Sequence, residues 1–94
     1  MSTRTQSSTA YERGRDHFRK GQHTKAARQF QRWLRAHPQD VRAHHDLAAS
    51  LMAMGLLGEA EAACTAATQA DPSYTRAWTS LASIQAARGQ VGTP

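Results

Sequence analysis

Apolar residues recur at helical spacing along this chain, in five stretches separated by short polar turns. Tyr11, Gly14 and Phe18 fall three and four apart, and so do Phe30 and Leu34, then Leu47, Ala48 and Leu51. Ala60, Cys64 and Ala67 continue the pattern, and Trp78, Leu81 and Ile84 end it. Residues three and four apart share one face of an α-helix, so each stretch predicts an amphipathic helix. Reading start and stop signals gives helices over about 8–20, 24–36, 41–54, 58–70 and 75–88. Thr24 and Asp40 are the expected N-caps of the second and third helices, since a short side-chain oxygen can accept from unpaired first-turn N–H groups. Gly21, Gly55 and Gly89 close the first, third and fifth helices, and Pro38 and Pro72 stop the second and fourth. No stretch alternates apolar and polar residues as a half-buried strand does. The expected fold is all-α, built of antiparallel helical hairpins.

The punctuation is periodic. Gly21 recurs as Gly55 and then Gly89, Ala26 as Ala60, Ala36 as Ala70 and Pro38 as Pro72, always at an offset of 34. Over the second interval Arg42-Ala43 returns as Arg76-Ala77, Leu47-Ala48 as Leu81-Ala82, and Gly58 as Gly92. Fixed self-similarity at this period marks stacked units, each too small to bury its own apolar face alone. Expected boundaries are a disordered polar tail at 1–7, one domain at 8–92 with repeats at about 7–40, 41–74 and a truncated 75–92, and a short tail at 93–94.

Bulk properties narrow the class. The 94 residues suffice for one small domain. No stretch approaches the ~20 apolar residues of a membrane span, and the first residues lack the apolar run of a secretory signal. A single cysteine, Cys64, offers neither an intrachain disulfide nor a thiolate metal cluster, and it reads as a buried small hydrophobe. A cytoplasmic setting is expected. Charge is uneven: residues 1–40 carry nine Lys/Arg against three acids, whereas 41–94 carry three against four. The excess of positive charge belongs to the first repeat.

Period 34, helix–turn–helix units and the segment "WTSLA" (Trp78 to Ala82) resemble the tetratricopeptide repeat (TPR) family. The second repeat contributes Leu47, Ala48, Leu51, Gly55, Leu57, Ala60, Cys64, Ala67 and Pro72 at the family's places. The third contributes Trp78, Leu81, Ala82, Gly89 and Val91, and the first Gly14, Gly21, Ala26, Phe30, Leu34 and Pro38. The resemblance implies a short right-handed superhelix (an α-solenoid) of about five helices. It also implies that the first helix of each repeat, helix A, lines a concave groove that binds a protein or peptide segment. Departures are informative. Arg13 and His17 stand where the family has Leu and an aromatic, so the first helix is expected to turn its Tyr11/Gly14/Phe18 stripe inward. Trp33 replaces a usual alanine, and the small Ala43, Ala48 and Ala49 are the expected accommodation.

Carried over by match, the groove residues are Ser8, Tyr11, Arg15 and Arg19, then Arg42, His45, Ala49 and Met52, then Arg76, Thr79 and Ser83. Arg15, Arg42 and Arg76 offer forked donors that suit carboxylates, so an acidic segment is the expected ligand. The family's carboxylate clamp is not retained. At its places stand Tyr11, Arg15, Asp46, Arg76 and Ser80; only Arg76 keeps the charge type, and Asp46 repels a carboxylate.

No catalytic constellation, phosphate-cradling loop or HExxH pair is present, so neither enzyme activity nor a cofactor is expected. His17, His44 and His45 invite a metal reading, but neighbouring helical residues point about 100° apart, and no metal site is expected. On the convex side Lys25, Arg28, Arg32 and Arg35 form one basic stripe. Phosphates are a conceivable partner, but stacking aromatics are scarce there and a solvated face is expected, so nucleic acid ranks only as a further alternative. Finally, Trp78, Leu81 and Ile84 form an apolar stripe that no following helix B covers, which predicts self-association, most simply as a homodimer.

Overall fold

The computed structural model describes residues 8–89. The expected tails, and the repeat residues Val91 and Gly92, lie outside the described residues. Five helices follow in order: α1 (Ala10–Arg19), α2 (His23–Ala36), α3 (Val41–Ala53), α4 (Leu57–Ala70) and α5 (Thr75–Ala87). Among the described residues there is no strand. Consecutive helices pack on one another, and α3 also touches α1 and α5, so α1, α3 and α5 form one row. The result is an all-α stack of helical hairpins, as the periodicity requires.

Backbone chemistry explains the repeated glycines. At the end of α1 the Gln22 N–H reaches the His17 carbonyl at 2.9 Å, and the Gly21 N–H reaches that of Phe18 at 3.0 Å. At the end of α3 the Leu56 N–H reaches Leu51 and the Gly55 N–H reaches Met52, both at 2.9 Å. This Schellman pattern satisfies the orphan carbonyls of a helix end and needs a left-handed residue. Gly21 and Gly55 supply it with φ of 77° and 79°.

The prolines recur for a different reason. His44 Nε2 lies 2.8 Å from the Pro38 carbonyl oxygen, and Trp78 Nε1 donates to that of Pro72 at 2.7 Å. His44 and Trp78 are themselves 34 apart. The second and third repeats thus tie the start of helix A to the loop that precedes it.

Helix α1 starts at Ala10, two residues later than expected, and one of the two expected N-caps is displaced. Thr24 is not the N-cap of α2: that position is Gln22, which makes no side-chain cap bond, and Thr24 lies inside the helix. The preceding glycine turn is so tight that α2 begins directly after its last bond, at His23. Helices α4 and α5 likewise start without a side-chain cap bond, whereas α1 and α3 are capped. Thr9 and Glu12 form a capping box on α1. Asp40 Oδ1 accepts from the N–H groups of Arg42 and Ala43, while its Oδ2 accepts from Trp33 Nε1 at 2.7 Å.

A single apolar core runs through the stack, with Ala26, Phe30, Ala48, Leu51, Ala60, Cys64 and Ile84 almost fully buried. The Tyr11/Gly14/Phe18 stripe does face it: Gly14 is buried, and Tyr11 and Phe18 pack against the cluster. The displaced polar residues find partners at the edges. Arg13 donates to the Ser8 carbonyl and to Gln29, and His17 Nδ1 lies 2.7 Å from Gln22 Oε1. Trp33 sits with its ring centroid 5.9 Å from that of Tyr11, and it stacks on His37 at 3.8 Å.

Candidate functional site

Because α1, α3 and α5 lie side by side, their outward faces share one surface. A cleft of about 230 Å³ opens on it, walled by Arg15, Arg19, His45, Asp46 and Arg76 over a floor of Phe18, Phe30 and Ala49. Five of the residues expected in the groove therefore converge: Arg15, Arg19, His45, Ala49 and Arg76. Tyr11 stands at the rim, with the Arg15 guanidinium 5.9 Å from its ring centroid. Arg42 is exposed and close enough to Tyr11 to act on its ionisation. Met52 packs partly against the core instead, and Thr79 is exposed, its hydroxyl donating to the Thr75 carbonyl. Neither lines the cleft.

Two hydrogen bonds cross between neighbouring helices A beside this cleft. The Tyr11 hydroxyl donates to Asp46 Oδ2 at 2.5 Å, and His45 Nε2 lies 2.9 Å from Ser80 Oγ. They are the same bond twice. Tyr11 and His45 are repeat equivalents, as are Asp46 and Ser80, so each rung joins a residue to the one 35 further on. The individual residues were legible in the sequence, but this pairing was not. Its signal is a donor-capable residue at 11 and 45 with an acceptor-capable one at 46 and 80.

Burial sets the ionisation of both rungs. Tyr11 is raised to about 12, first by desolvation, then by its hydrogen bond to Asp46 and by that carboxylate's charge, with Arg15 and Arg42 opposing. His45 is lowered, first by desolvation and also by the Arg76 charge, while Asp46 pulls the other way. The His45 ring also meets Tyr74 edge-on at 5.8 Å. At neutral pH the cleft is thus lined by neutral His45, one carboxylate and three guanidinium groups. Of those three, only Arg19 forms an ion pair among the described residues, with Asp16 at 3.5 Å.

Matches to known proteins bear directly on this arrangement. The sequence matches the tetratricopeptide repeat family over residues 11–75 and again over 45–92, two overlapping spans that together take in all five helices. The chain belongs to the tetratricopeptide repeat family. Among curated proteins, the inactive TPR repeat-containing thioredoxin TTL3 of Arabidopsis thaliana is 35% identical over 78 residues. That alignment covers 83% of this chain but only 11% of the relative's length. TPR domains mediate protein–protein interaction.

The remaining candidates separate in the TPR stack. Lys25, Arg28, Arg32 and Arg35 are all exposed on α2, a helix without an acidic residue. His17, His44 and His45 do not meet: each has its own partner, in Gln22, Pro38 and Ser80 respectively. Among the described residues no three His, Cys, Asp or Glu side chains are grouped to hold a metal. No described helix is long and apolar enough to cross a membrane.

The apolar stripe of α5 is not uniformly open. Ile84 is fully buried in the core, because its repeat equivalent is the inward-facing Ser50 and α5 keeps that rotation. Leu81 is partly buried against the same core, and Trp78 is 49% exposed. Glu61 of α4 holds the end of α5 by accepting from Gln85 at 3.1 Å and pairing with Arg88.

Proposed function

We propose that this TPR stack is a non-catalytic recognition module that binds an acidic protein segment along its helix-A groove. The observation that carries the reading is the cleft itself, where Arg15 and Arg76 flank an apolar floor without an ion-pair partner among the described residues. Guanidinium groups bind carboxylates through two parallel bonds, and an apolar floor adds area for a side chain of the ligand. Replacing Arg15, Arg42 and Arg76 together by Ala abolishes capture of an acidic peptide in this reading and leaves helicity intact. Replacing Lys25, Arg28, Arg32 and Arg35 has little effect on it. The opposite pattern, read by fluorescence anisotropy and circular dichroism, moves the site to the back of the stack. The single buried Cys64 suits a reducing cytoplasm.

A second reading, self-association through α5, has its own observation. Trp78 is half exposed, and Ala82 is exposed although its repeat equivalent Ala48 is almost fully buried. Surface of that kind marks an interface. Light scattering on the wild type, Trp78→Ala and Leu81→Ser tests it: a monomer at tens of micromolar removes the dimer.

A further inference from the structure

Asp46 is a puzzle for a groove that receives acidic ligands. It is the single carboxylate among the cleft's described lining residues, and it shares the cleft with Arg15 and Arg76. A flexible carboxylate tethered beside exposed guanidinium groups has a high effective concentration and competes with any incoming carboxylate. Yet Asp46 forms no ion pair among the described residues. Its Oδ2 is held instead by the Tyr11 hydroxyl, at 2.5 Å and half-buried. The equivalent rung in the next repeat joins His45 to Ser80, so an uncharged partner is enough to link two helices A. The negative charge at position 46 is therefore not required by the stacking.

We propose that Tyr11 is a specificity-determining residue that restrains Asp46, holding its carboxylate away from the arginines so that they stay open to the carboxylates of an acidic segment. The proposal rests on the groove reading above and adds a condition to it. With the hydroxyl removed, Asp46 turns toward Arg15, Arg42 or Arg76 and blocks them from within. With the charge removed, the cleft loses its internal competitor and its repulsion of the ligand. The two changes thus act in opposite directions, although both alter the same hydrogen bond.

The test uses a short fluorescein-labelled peptide rich in Glu around a central Phe, with the corresponding Gln peptide as control. Anisotropy gives affinities for the wild type, Tyr11→Phe, Asp46→Asn and the double variant, with melting curves on each. The wild type binds the Glu peptide in preference to the Gln peptide. Tyr11→Phe weakens that binding about three- to tenfold, and Asp46→Asn strengthens it by a similar factor, as expected for one partly exposed charge interaction. The double variant binds at least as tightly as the wild type, because no carboxylate remains to be released. A double variant as weak as Tyr11→Phe means that the hydroxyl acts through the fold alone, and the proposal is overturned. An unchanged Tyr11→Phe overturns it equally. Should Tyr11→Phe not fold, Asp46→Asn still decides, since its amide oxygen can accept from Tyr11, and a failure to tighten removes the proposal. A wild type indifferent to Glu against Gln removes the groove reading itself, and the restraint with it.

Discussion

Gly14 and Phe30 occupy a space that has no room for one more carbon. A Cβ built on Gly14 would lie 2.6 Å from Phe30 Cε1 and 2.8 Å from Cδ1, inside any normal contact. The ring cannot easily yield, since Phe30 is 1% exposed. In the second repeat the same two places hold Ala48 and Cys64, a larger residue opposite a smaller one. The pair has exchanged volume while keeping the core filled.

Gly14→Ala therefore destabilises the chain, although alanine favours helix by about 1 kcal/mol over glycine. Overpacking costs about 1–3 kcal/mol, so the net loss is about 1 kcal/mol and the melting midpoint falls by several degrees. Combining it with Phe30→Leu recovers part of that loss in thermal unfolding followed by circular dichroism. A Gly14→Ala variant more stable than the wild type contradicts the packing described for α1.

Asp40 does two jobs with its two oxygens, capping α3 and anchoring Trp33 of α2. Asp40→Ala removes both and leaves a half-buried indole N–H without its acceptor. A lost cap costs about 1 kcal/mol and an unsatisfied donor about 1–3 more. Asp40→Asn retains an oxygen for only one of the two tasks and falls between. Urea unfolding of the three proteins should rank them in that order.

The pH dependence of stability has one sign on each side of neutrality. His45 has a folded-state pKa below its usual 6.5, so the unfolded chain binds more protons and stability is lost as pH falls below about that value. Tyr11 is the reverse: raised from 10.0 to about 12, it contributes stability that is present below pH 10 and lost as pH rises through that interval. Denaturation curves against pH should show a shallower acid limb in His45→Gln. A shallower alkaline limb is expected in Tyr11→Phe.

Cys64 is a thiol in name more than in reactivity. It is 0% exposed, and desolvation, with a smaller contribution from Glu61, raises its pKa to about 11. Ellman's reagent at mild alkaline pH should react at a rate set by opening of the core. Adding denaturant should accelerate the reaction by orders of magnitude; fast labelling of the native protein contradicts the buried placement.

Most of the architecture was legible in the sequence, because stacking geometry repeats and repetition can be counted. Gly21 and Gly55 announced left-handed turns, and the Tyr11/Gly14/Phe18 stripe announced the rotation of α1. What could not be read is whatever depends on two side chains meeting. Thr24 looked like a cap, but the turn before α2 closed two residues too early for it. Ile84 looked like the end of an exposed stripe, yet it shares its rotation with Ser50 and is buried. That Arg15 and Arg76 lie near one another was legible from their places in the repeat. The link from Tyr11 to Asp46 was not, because a hydrogen bond across 35 residues leaves no local trace.

The turns after α1 and α3 are both closed by the same main-chain bonds, and the first adds a side-chain bond between His17 and Gln22. The shared main-chain part of that linkage asks for no particular side chain on the helices it joins, only for one glycine between them. Helix α2 can accordingly carry four Lys/Arg and no acid while α4 carries two acids and no Lys/Arg, and both follow the same path. Path and electrical character are written in separate parts of each unit. A chain assembled this way can change the charge of its outer helices, unit by unit, without having to relearn how to fold.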